Sequence, residues 1–113
     1  MIGSVDILNS RTKLHHVLQC AELAFSYIRT KHNLTPIQYN ALLCVSESKE
    51  IVTTELLISY LDSTIDGVSA IALHLVHEGL FIKPKAVNVY TLTSKGRFVL
   101  DDIIKQFALM LNT

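Results

Sequence analysis

Apolar residues in the first part of the chain return every three or four positions, at Leu14, Val17, Leu18, Ala21, Phe25 and Ile28. That spacing is the stripe of an amphipathic helix. Arg11, Lys13, Gln19, Glu22, Ser26 and Arg29 lie mostly off the stripe, so the pattern predicts a helix from about Ser10 to about Lys31. The next start signal lies in LTPIQY. Thr35 is a good N-cap, Pro36 suits the first helical position, and Gln38 completes a capping box. Leu34 and Tyr39 stand where a hydrophobic staple would close. This second helix carries Ile37, Ala41, Leu42 and Val45 and fades in the polar SESKE segment.

Thr53 is placed to cap a short third helix through Glu55, Leu56, Leu57 and Tyr60. The segment LDSTID ends it, and Ser63 or Thr64 caps a fourth. Val68, Ile71, Ala72 and Leu75 form the inward stripe of that fourth helix, and Gly79 is its stop. The period then changes from helical to alternating. LFIK and VNVYTLT read as two short strands joined by a turn containing Pro84. Thr93 caps a last helix with Val99, Ile103, Phe107 and Met110 along one side, widened by Leu100, Ile104 and Leu111. Two short helices, a polar turn and a hairpin describe a winged helix-turn-helix. The expected fold is therefore mainly α with a small β-hairpin, in one domain spanning 1–113. Its core runs over 35–92, between end helices at 10–31 and 94–111 that are more apolar than one small core requires.

Composition supports a packed, partnered domain. Half of the 113 residues are hydrophobic and 18% are charged, which excludes a disordered chain. So much apolar surface in so short a chain points to a homodimer. Leu14, Val17, Leu18 and Phe25 on the first helix are the expected contacts, with Ile103, Phe107, Met110 and Leu111 on the last. The N-terminus has no secretory pattern, and no apolar run approaches the roughly 18 residues of a membrane span. A soluble, cytoplasmic protein without membrane contact is expected. Cys20 and Cys44 lack CxxC spacing and read as reduced structural thiols.

Three pieces resemble the MarR family of bacterial winged-helix regulators. LTPIQYNALLCV is similar to the family's second-helix opening. TTELLISYLDSTIDGVSAIALHLVHEGLFIK is similar to its helix-turn-helix, with Leu75, Gly79 and Leu80 at the helix end. VYTLTSKGRFVL is similar to its return strand and Leu-Thr-x-x-Gly-Arg step. The resemblance covers about Leu34 to Leu100. It implies a transcriptional repressor that dimerises through its end helices and binds double-stranded DNA. Two features depart from the family pattern. There is one C-terminal helix where members usually have two, which brings the size nearer the small staphylococcal SarA-type regulators. The wing tip is Lys83-Pro84-Lys85-Ala86 instead of an Asp and Arg pair.

The fourth helix poses the functional question, because STIDGVSAIALHLVHEG contains no lysine or arginine and the formal net charge is zero. Phosphate neutralisation normally supplies much of the affinity for DNA. The expected DNA contacts are therefore distributed. Lys83, Lys85 and Asn88 on the wing, and the helix starts at Thr35, Ser63 and Thr64, would hold the backbone. Ser69, Ala70 and His74 would sense base edges. Leu73 on the outward face is unexplained by DNA reading and suits a protein surface instead. The alternative function is thus a winged-helix module that binds a component of the transcription machinery or another regulator.

Other chemistry is weakly signalled. His74 and His77 with Glu78 do not complete a metal geometry, and no cofactor is expected. Asp101 and Asp102 diverge as helix neighbours. Neither a phosphate-binding glycine loop nor a nucleophile elbow is present, so an enzyme is not expected.

Overall fold

A computed structural model of the chain describes residues 4–82 and 88–112, with side chains from residue 9 onward. Five helices and three short strands follow in order: α1 Ser4–His32, α2 Pro36–Glu47, β1 Val52–Thr53, α3 Thr54–Leu61, α4 Ile65–His77, β2 Phe81–Ile82, β3 Val89–Leu92 and α5 Ser94–Leu111. The architecture is mainly α with a small antiparallel sheet, as the periodicity predicts.

Each predicted cap forms. The Thr35 hydroxyl accepts from Gln38 N–H while the Gln38 side chain accepts from Thr35 N–H, which is the full capping box. Thr53, Thr64 and Thr93 accept from Leu56, Gly67 and Gly96 in the same way. Thr64, not Ser63, caps α4. Ser63 is half-buried and its N–H donates to the Ile58 carbonyl, closing the turn after α3. Gly79 sits at φ 75°, a conformation that ends α4 without the steric cost of a Cβ.

The sheet differs from the two-stranded hairpin expected. Its order is β1-β3-β2, with Val52 opposite Tyr90 and Thr53 opposite Val89. A two-residue strand shows no period-two pattern, so Val52 and Thr53 look only like the approach to a helix. On the other side Phe81 pairs with Leu92 and Ile82 with Thr91.

One core holds α2 to α5 and the sheet together. Leu42, Leu57, Val68, Leu75 and Leu100 are enclosed in it, with Ile28 and Leu34 closing the end nearest α1. Ile103 belongs to this core at 2% exposure, which corrects its assignment to a dimer interface. It follows Val99 by four residues and so shares that residue's inward face. On α2, Cys44 is buried and Ile37 is exposed, a small rotation from the expected stripe.

Helix α1 begins well before the predicted start near Ser10, and its apolar residues divide between two faces. Cys20, Ala24 and Ile28 turn inward at four-residue spacing. Leu14, Val17, Leu18, Leu23 and Phe25 remain exposed. Helix α5 runs antiparallel to α1 and is its main packing partner. The Cys20 thiol donates to the Met110 carbonyl at 3.5 Å, and His16 lies 3.4 Å from the Leu111 carbonyl. No single helix among the described residues is long and apolar enough to cross a membrane.

Candidate nucleic-acid interface

Helices α3 and α4 meet through the turn at Asp62, which adopts φ 49° and ends α3. Val68, Ala72 and Leu75 anchor α4 to the core. The opposite side therefore presents Asp66, Ser69, Ala70, Leu73 and His77, all exposed. Ser69 and Ala70 stand where the sequence places them. His74 does not. It lies roughly 60° off the outward direction by helical rotation, and its Nε2 is buried without a hydrogen-bond partner among the described residues. That nitrogen cannot reach a base edge, so the assigned contact is corrected to a half-buried flank of the helix.

Charge around α4 is committed locally. Asp66 lies in the first turn, where a negative side chain suits the helix dipole. Lys95 donates to the Glu78 carbonyl at 3.0 Å and covers the C-terminal end of α4. Lys83 and Lys85 lie outside the described residues. Asn88 is exposed, and its carbonyl accepts from Thr54 N–H at 3.3 Å, tying the wing's return to the start of α3.

The return strand is locked behind α4 by a compact set of contacts. Thr93 N–H donates to the Leu80 carbonyl, and the Thr93 hydroxyl donates to the Gly79 carbonyl at 2.6 Å. Gly96 lets α5 press against the Leu80 backbone, because an added Cβ would overlap the Leu80 carbonyl oxygen. The Leu-Thr-x-x-Gly step thus fixes the end of α4 relative to α5.

The expected end-helix contacts mostly lie on the surface. Leu14 and Leu18 are 58% and 56% exposed, Val17 and Phe25 somewhat less. On α5, Leu111 is exposed, while Phe107 and Met110 are half-buried. Tyr39, Ile104, Phe107, Ala108 and Leu111 line an apolar cavity of about 240 Å³ between α2 and α5.

One polar cluster has no signal in the sequence. At the α1–α5 junction a single Asp102 oxygen accepts from the Tyr27 hydroxyl at 2.6 Å and lies 2.8 Å from His32 Nε2. The Tyr27 and His32 rings meet edge to face. The Tyr27 hydrogen bond, then the one from His32, holds the Asp102 carboxyl below the usual carboxylate range, against a smaller opposing effect of burial. The same bond raises the Tyr27 phenol. Some seventy residues separate the partners along the chain, so only folding brings them together. Among the described residues no group of three or more His, Cys, Asp and Glu stands ready to hold a metal ion.

This arrangement, with helix-turn-helix, three-stranded sheet and two long end helices, is the MarR-like winged-helix fold. A transcriptional regulator from Thermotoga maritima superimposes with a TM-score of 0.74 at 15% identity, over 93% of this chain and 77% of that one. A multiple antibiotic-resistance repressor from Listeria monocytogenes gives 0.73 at 19% identity, over 96% and 78%. A MarR family transcriptional regulator from Streptomyces coelicolor gives 0.70 at 20% identity, over 96% and 78%. No family model and no curated protein matches the chain.

Proposed function

We propose that this protein is a DNA-binding transcriptional repressor that acts as a homodimer on a pseudo-palindromic duplex site. The observation that carries the reading is the topology shared with structures described as transcriptional regulators, along nearly the whole chain. Two further features support it. The outward side of α4 is exposed, with Ser69 and Ala70 at its middle. The apolar surface of α1 and α5 is what a two-fold partner would cover.

With no cation on α4, affinity rests on the wing lysines Lys83 and Lys85 and on the helix starts at Thr35 and Thr64. Specificity then depends more on groove shape than on bidentate base contacts. The test is binding to a duplex of about thirty base pairs, followed through a salt titration. Micromolar or tighter binding that weakens by decades as salt rises is expected. Replacing Lys83 and Lys85 together with Ala should weaken binding and flatten the salt slope. No binding at low salt would overturn the proposal.

A second reading is favoured by one observation. Ile65 and Leu73 on α4 and Ile82 on β2 are 66%, 71% and 50% exposed, an apolar set that DNA does not require. In that reading the winged helix docks a protein of the transcription machinery. Leu73→Glu should then abolish complex formation without unfolding the chain, and unchanged partner binding would sink it.

A further inference from the structure

A groove away from both α4 and the α1–α5 apolar surface has the chemistry of a ligand site. It encloses about 330 Å³ and is lined by residues from the end of α2, the 49–51 segment, β1, β3 and the first turn of α5. Its floor is preformed, since Val52, Tyr90 and Leu92 are nearly fully buried members of the core. Tyr90 is further held by a 5.7 Å ring contact with Phe81. The rim carries Lys49, Glu50 and Arg97, and Ile51 beside them is 72% exposed.

The rim cations are uncommitted. The one ion pair between described residues joins His32 to Asp102, and Lys95 is spent on the Glu78 carbonyl. The side chains of Lys49 and Arg97 have no hydrogen-bond or ion-pair partner among the described residues. Ser48 braces the rim, because its hydroxyl donates to the Glu50 carbonyl at 3.1 Å and accepts from Glu50 N–H at 3.2 Å. That turn sets the backbone on which Lys49 and Glu50 stand.

We infer that this groove binds a small aliphatic monocarboxylate, with the carboxylate between Arg97 and Lys49 and the alkyl body over Val45, Val52 and Leu92. The volume lies at the low end of the range for ligand pockets, which sets the size. Branched aliphatic lining sets the apolar body. A guanidinium offers the two parallel donors that a carboxylate accepts. Glu50 leaves the rim with two cations against one anion, which favours a single negative charge over a phosphate dianion. The groove stands on the strand that returns from the wing, so a bound ligand would clamp the wing's root between α2 and α5.

The test uses hexanoate as the probe, with its neutral isostere hexanamide and inorganic phosphate as controls, read by backbone amide shifts of the full chain. Hexanoate should shift the amides of 49–52 and 89–92 saturably, with hexanamide and phosphate each at least about ten-fold weaker, a factor equivalent to about 1.4 kcal/mol. Arg97→Gln and, separately, Lys49→Gln should reproduce that loss while leaving the remaining spectrum in place. Hexanamide binding as well as hexanoate would overturn the charge recognition. Absence of saturation, or shifts confined to Tyr39 and Phe107, would overturn the site. None of these readouts involves DNA, so the proposed function and this site fail or stand separately.

Discussion

At the scale of single residues, Gly96 and Asp102 illustrate two different constraints. Gly96 is a packing requirement, since any Cβ there overlaps the Leu80 carbonyl oxygen. Gly96→Ala should lower stability by about 1–3 kcal/mol, the usual cost of overpacking, whereas Ser69→Ala on the exposed face should stay within about 0.5 kcal/mol. Urea unfolding of both variants checks the contrast. Asp102 is an electrostatic constraint. Its folded pKa is lowered by Tyr27 and His32, so its stabilisation is fully present above the unfolded carboxylate value, near pH 4. It is lost as pH falls through the lower folded value. Stability of the native chain should therefore rise between about pH 2 and about pH 5 more steeply than that of Asp102→Asn. Equal slopes would show that Asp102 is uncoupled from folding. Gly96 could be suspected from its place in VYTLTSKGRFVL. Asp102 could not, because its neighbour Asp101 carries the same side chain and is exposed.

At the scale of elements, caps and stripes were legible and faces were less so. Thr35, Thr53, Thr64 and Thr93 act within three residues of their own positions, so local sequence suffices to find them. Thr64→Ala should cost about 1 kcal/mol and loosen the start of α4, with faster amide exchange over its first turn as the measurement. Helix α1 shows the limit. Its stripe suggested one face, yet Cys20, Ala24 and Ile28 serve the chain's own packing while Leu14, Leu18 and Phe25 are left outside. Both sets repeat at helical spacing and are apolar, so periodicity cannot tell a core contact from an intermolecular one. Leu18→Glu combined with Phe25→Glu should convert a dimer to monomers by sedimentation while leaving the melting temperature of the monomer fold near that of the parent. A parent chain that sediments as a monomer would remove the dimer from the proposal.

For the molecule as a whole, two surfaces compete to define its role. The fold places α4 where a groove helix belongs, and its composition gives that helix an acid, a serine, small residues and Leu73 in place of cations. Net charge is a property of the whole surface, and here it is zero. Steering toward DNA must then come from segregated charge and not from a surplus. Doubling Lys83→Ala with Lys85→Ala measures that segregation directly. A salt slope reduced by about one to two units is expected, about one for each lost phosphate contact.

The sequence by itself determined the element order, the helix starts, the stop at Gly79 and the winged-helix class, because each depends on spacings of a few residues. Tertiary structure alone decided the third strand, whose two residues become a strand only when Tyr90 and Val89 arrive opposite them. It decided that Ile103 is core, that His74 faces sideways, and that Tyr27, His32 and Asp102 meet. It also brought Lys49 and Arg97 to the rim of one groove. These are contacts between segments distant along the chain, and such contacts leave no periodic trace in either segment.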